Sequence, residues 1–167
     1  MNGPQALAAA FAGAQNWYSG TVADVTPEMA KEVPPGVVHP IGELAAHILH
    51  GQDGFVSMLT GQKSIWERDG YDTKLGIPFV FLQDHAVARA LKTTPADLAE
   101  YATKVFAETQ AYVATLTDAD LDREIDIFGN KMTVGAALGG LAIGNIFAHV
   151  GEISALKGLH GAKGYPF

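Results

Sequence analysis

Residues 145–161 read NIFAHVGEISALKGLHG. The run follows a long uncharged tract: between positions 132 and 150 the only ionisable side chain is His149. Laid out at about 100° per residue, Val134, Leu138, Ala142, Asn145, His149, Glu152 and Leu156 share one stripe of a helix that starts at Thr133 and ends near Gly158 or Gly161. Leu138 and Leu156 mark that stripe as the core side. The reading therefore places an amide, an imidazole and a carboxylate on adjacent turns of the face expected to be driest. Buried and unpaired, such groups cost several kcal/mol, so something must pair them.

Working outward, three more long helical patterns precede this one. The first covers residues 4–22, rich in alanine, with Phe11, Trp17 and Tyr18 as its large side chains. The second covers 40–59, with His39 in the cap position and Pro40 at the first helical place, where a missing N–H costs nothing. Ile41, Leu44, Ala45, Ile48, Phe55 and Leu59 recur at three- and four-residue steps along it. The third opens at Thr94 and Pro95, with Asp97 in the first turn, where a negative charge suits the helix dipole. Thr117, Asp118 and Asp120 signal one more short helical turn.

Residues 61–93 form a connection too long to be structureless in a compact domain. Short helices are expected at 64–69 and 84–91, and the apolar run 79–82 either covers the core or sits in an interface. Residues 124–131, EIDIFGNK, read as a connection, possible as extended chain. The fold expected is all-α: a four-helix bundle of one domain, residues 1–167, with a long crossover between helices two and three.

Composition narrows the function. The chain has 167 residues, 48% apolar and 17% charged, with 11 basic and 18 acidic side chains and a net charge of -7. That balance disfavours nucleic-acid backbones and anionic membranes. There is no cysteine, hence no disulfide and no thiolate ligand or nucleophile from the chain itself. The N-terminus lacks the basic residues of a secretory signal. The tract 132–150 has the length of a membrane span, but its glycines and polar stripe fit a buried helix of a soluble, cytoplasmic protein better.

Helix two supplies a partner for the polar stripe. His47 lies on the shoulder of its apolar face, while His50 and Glu43 are expected to point away from the core. If helices two and four face each other, His47 meets His149. On spacing alone, a closed hydrogen-bond network, with Glu152 accepting from His149, explains the cluster better than a metal does. Gly135, Gly139, Gly140 and Gly144 fit close helix packing better than room for a substrate. His85 and His160 sit in or beside connections and are expected to be solvated, and Trp66 and Tyr71 to pack in the core.

Two segments resemble the DinB-like superfamily of small four-helix bundles: HPIGELAAHILHGQDGF in helix two, and Asn145-Ile-Phe-Ala-His149-Val-Gly-Glu152-Ile in helix four. The resemblance implies a divalent metal, nickel or zinc, held by three histidines, one from helix two and two from helix four. Carried over, the metal positions are His47, Asn145 and His149, with Glu152 as the catalytic or orienting carboxylate. Asn145 stands where the pattern has a histidine, and an amide is a poorer ligand for such a metal. Asn145 ligating weakly or through water, completion of the set by Glu152 or His50, and loss of the metal with retention of the fold all remain open. The resemblance further implies a transferase using a low-molecular-weight thiol or water as nucleophile on a small-molecule substrate, and a homodimer. The alternative is a non-catalytic bundle with a degenerate site, serving in small-ligand binding or the stress response.

Overall fold

The computed structural model describes residues 1–79 and 85–167. Four long helices make the bundle: α1 (Gly3–Val22), α3 (Ile41–Thr60), α7 (Ala99–Thr115) and α9 (Val134–Leu159). α1 packs on α7 and α9, and α3 packs on the same two. The core between them holds Phe11, Tyr18, Ile48, Leu49, Tyr101 and Ile146, all buried.

Side-chain caps set most element starts, and the one at Thr117 is where the sequence indicated it. Asn2 caps α1 and Thr133 caps α9. Short helix α2 (Pro27–Lys31) starts at the Thr26 cap. Ser64 and Glu67 form a capping box at α4 (Ile65–Arg68), and Thr117 and Asp120 form one at α8 (Asp118–Asp122). Thr94 and Asp97 exchange the expected capping bonds, but around the turn ahead of α7, whose regular helix begins five residues later at Ala99. At α3 the N-cap is Pro40, without a side-chain cap bond, so His39 is not a cap.

Between α3 and α7 lie α4, α5 (Tyr71–Leu75) and α6 (His85–Ala90). The two short helices expected there are α4 and α6. Trp66 and Tyr71 are in the core. Of the apolar run 79–82, positions 80–82 lie outside the described residues, as does the side chain of His85. The EIDIFGNK segment belongs to an antiparallel hairpin, β1 (Glu124–Ile127) with β2 (Asn130–Thr133). Its two loop residues, Phe128 and Gly129, have φ of 54° and 81°. Positive φ at both positions is what a two-residue turn matched to strand twist requires.

Inside α9, residues Ala137–Ile143 form a π-helix. Its bonds run to the fifth residue rather than the fourth, which inserts about one residue into the register. Downstream, the buried row is Ile146, Val150, Ile153 and Lys157, each one position beyond Asn145, His149, Glu152 and Leu156. The stripe drawn at a uniform 100° therefore misplaces the polar trio. Asn145 and His149 are half-buried and Glu152 is exposed, at the edge of the core face. α9 is long and apolar enough to cross a membrane; in the fold it is the fourth helix of the bundle. Its buried Lys157 donates to Thr21 O (2.7 Å) and Asp24 Oδ1 (2.5 Å), tying the end of α9 to the end of α1.

Candidate functional site

α3 and α9 pack against each other, and that contact brings the sequence-predicted residues together. The His47 and His149 rings meet edge to face, 4.7 Å between centroids and 87° between planes. Asn145 Nδ2 donates to His47 Nε2 at 3.1 Å. His149 Nδ1 donates to Glu152 Oε2 at 2.7 Å. That bond leaves Nε2 as the ring nitrogen of His149 with a lone pair to offer.

The other face of the Asn145 amide meets α3 at Gly51. A Cβ built there would lie 3.0 Å from Asn145 Oδ1, so the missing side chain makes room for the carboxamide. That oxygen is buried and accepts no hydrogen bond.

A cavity of about 330 Å³ opens beside the two imidazoles, its polar wall made by His39, Glu43, His47, His149 and Glu152. Sequence reasoning missed two of these. Glu43 was expected to face away from the core, yet its side chain is 0% exposed, against 51% for Glu152 at the mouth. His39 was read as a cap, yet its Nδ1 donates to Glu43 Oε2 at 2.6 Å. The signal was present: Glu43 and His47 are four residues apart, which aligns them on one side of α3, and His39 lies four residues before Glu43, just ahead of the helix.

His50 is the third correction. Expected toward solvent, it is fully buried. Its ring packs edge-on against Trp66, with centroids 4.3 Å apart, and beside Phe79 and Tyr101. Burial, and secondarily the charge of His47, push its pKa down to about 3, so it is neutral at physiological pH. It does not line the cavity, and neither does Asn145.

Burial raises the pKa of Glu43 above the usual carboxylate range, with the charge and hydrogen bond of His39 acting the other way. The sign of the stability effect follows. Between the unfolded and the raised folded pKa, the folded state holds more protons, so Glu43's contribution to stability falls as pH rises through that window. Glu43→Gln removes this loss. The expected result is a variant that gains on the wild type as pH rises through the window between Glu43's unfolded and folded pKa, read by urea denaturation at each pH. Parallel curves across that range would contradict it.

Among the described residues, no three His, Cys, Asp or Glu side chains converge as they would on a metal ion. The set here is two imidazoles and an amide. The 3.1 Å between Asn145 Nδ2 and His47 Nε2 is a hydrogen bond from a nitrogen that ligates no metal, and Asn145 Oδ1, the atom an amide offers a metal, lies against Gly51. The donor set fits a divalent cation in one respect. Glu152 on Nδ1 of His149 is the carboxylate–histidine arrangement that orients metal-binding imidazoles.

The family model described as the DinB superfamily matches residues 10–152. A crystal structure of a conserved protein from Enterococcus faecalis superposes with a TM-score of 0.82 at 20% identity, over 95% of this chain and 97% of that one. At that identity the likeness speaks to the fold alone. No curated protein matches the chain.

Proposed function

The chain belongs to the DinB superfamily, and from that premise we propose that it is a small-molecule transferase whose cavity activates a low-molecular-weight thiol or a water. His47, His149 and Asn145 would hold a divalent metal, nickel or zinc. Bound there, such an ion supplies Lewis acidity and lowers the pKa of a coordinated thiol or water. One observation carries the reading: two histidines from helices distant in sequence meet at a cavity wall, and one of them is oriented by a carboxylate.

The chain's own groups do the rest. Glu152 fixes the His149 ring by accepting from Nδ1, and its exposed carboxylate takes a proton from the incoming nucleophile at the cavity mouth. Asn145, seated against Gly51, holds His47 in register. Val37, Val38 and Leu44 line the apolar part of the cavity.

A second reading has its own observation. The Asn145 N–H uses the Nε2 lone pair of His47, the pair a metal would need. That favours a metal-free bundle that binds a small ligand. The two readings separate on Asn145→His. A metal site weakened by an amide gains at least tenfold in zinc affinity when the imidazole is supplied, and the wild type already binds zinc measurably. If only the variant binds zinc in a competition titration, the metal-free reading holds.

A further inference from the structure

A second cavity, of about 340 Å³, lies where the end of α1 runs beside the start of α7, and it shares no lining residue with the histidine site. α1 gives it Tyr18 and Val22, the chain just after α1 gives Val25, and α7 gives Ala99, Ala102 and Phe106. Alanines at 99 and 102 fall on one face of α7 and leave the hollow open. Tyr18 and Phe106 meet edge to face, 5.8 Å between centroids and 87° between planes. Among the described residues, none that lines this cavity is charged.

Tyr18 is the polar group that the fold leaves unexplained. It is 2% exposed. Among the described residues no hydrogen bond reaches its Oη, and burial alone raises its pKa. The side-chain polar atoms sealed inside without a partner include Thr21 Oγ1 and Trp66 Nε1, and not Tyr18 Oη. The small exposure that Tyr18 keeps therefore includes its hydroxyl, and the cavity is what the side chain opens on. Thr103, also in the lining, already donates its hydroxyl proton to Ala99 O at 3.0 Å.

These features define a ligand. Buried polar groups are nearly always hydrogen-bonded, so the Tyr18 proton calls for an acceptor. An ion would lose hydration here with no counter-charge in the lining. An aromatic ring suits the apolar walls and the Tyr18–Phe106 pair. The volume lies in the range of small-molecule sites. We propose that this cavity binds a small, neutral aromatic carbonyl compound, its ring against Val22, Ala102 and Phe106 and its oxygen accepting from Tyr18 Oη. The proposal is independent of the histidine site and of any metal.

Acetophenone, ethylbenzene and benzoate are titrated into the wild type, Tyr18→Phe and Ala99→Leu, each variant checked for folding by its thermal melt, with methyl NMR as the readout. Acetophenone shifts the Val22, Val25 and Ala102 methyls saturably, while Val37 and Val38, at the histidine cavity, stay still. Benzoate binds at least tenfold more weakly. In Tyr18→Phe the preference for acetophenone over ethylbenzene, which has the same shape without the oxygen, falls about fivefold or more. Ala99→Leu fills the hollow from an exposed helix position and abolishes binding. No saturable shift of those methyls, shifts at Val37 and Val38 instead, benzoate binding equal to acetophenone, an unchanged preference in Tyr18→Phe, or undiminished binding in Ala99→Leu overturns the proposal.

Discussion

Asp53→Ala will cost about 3–5 kcal/mol of stability, among the largest losses available to a single substitution in this chain. Asp53 is buried in α3 and accepts three hydrogen bonds: from Ile65 N at 2.9 Å, from Trp66 N at 3.0 Å and from Tyr101 Oη at 2.8 Å. The two amides are the first of α4, which the helix itself cannot satisfy. One carboxylate thus joins α3, the start of the crossover and α7. Alanine strands three donors in a region sealed by Trp66 and Tyr101, each at most 1% exposed. Asp53→Asn keeps one acceptor oxygen and should lose about half as much. Urea denaturation of the three proteins checks this, and a loss below about 1 kcal/mol for the alanine variant would show that α4 does not depend on Asp53.

Gly42→Ala will destabilise by about 3 kcal/mol or more, lowering the melting temperature by about 6–12 °C for a chain of this size. Gly42 is in the first turn of α3, where the backbone of the crossover passes directly over it. A Cβ would sit 2.0 Å from Thr93 O and 3.1 Å from Ala30 O. Both are backbone atoms that cannot swing aside, so either α3 or the 93 strand of chain must move. Gly13→Ala is the control of opposite sign. It lies inside α1 with nothing within 4 Å of its Cβ, and should gain about 0.5–1 kcal/mol from helix propensity. A Gly42→Ala melt within 2 °C of wild type would mean that the helix-to-crossover contact is looser than these distances require.

Most of the bundle was legible because its signals are local. The cap at Thr117, the start at Thr133 and the apolar periods of α3 and α7 depend only on near neighbours. The site was legible in its partners and wrong in its depth. His47 meets His149 as the facing of helices two and four predicted. The polar trio, however, was placed on the dry face because a uniform helical turn was carried through Ala137–Ile143, where the chain adopts π geometry. Glycines at 139 and 140 relax the helix there without announcing which hydrogen-bond pattern it takes. Glu43 and His50 were turned the wrong way for a related reason. The apolar face of α3 was centred on Leu44, Ile48 and Phe55, but α3 is buried nearly all round in its first half, on Glu43 and His50 as much as on Leu44. A one-sided pattern cannot describe a helix enclosed by two neighbours and a crossover. The hairpin was visible only as a brief alternation, since its turn uses Phe128, a residue that rarely takes positive φ.

These corrections sharpen the functional question. The shift produced by the π segment moves Asn145, His149 and Glu152 from the packed core to its edge, where His149 and Glu152, hydrogen-bonded to each other, line an open cavity. A π segment that places side chains at a site in this way is a recurrent feature of functional helices. The measurement that tests the central claim most directly is elemental analysis of the purified, untagged protein beside His149→Ala. Near-stoichiometric nickel or zinc in the wild type, absent from the variant, is the predicted result. A wild type that carries no metal, even after incubation with either ion, would contradict the account and leave the cluster as a hydrogen-bonded ligand site.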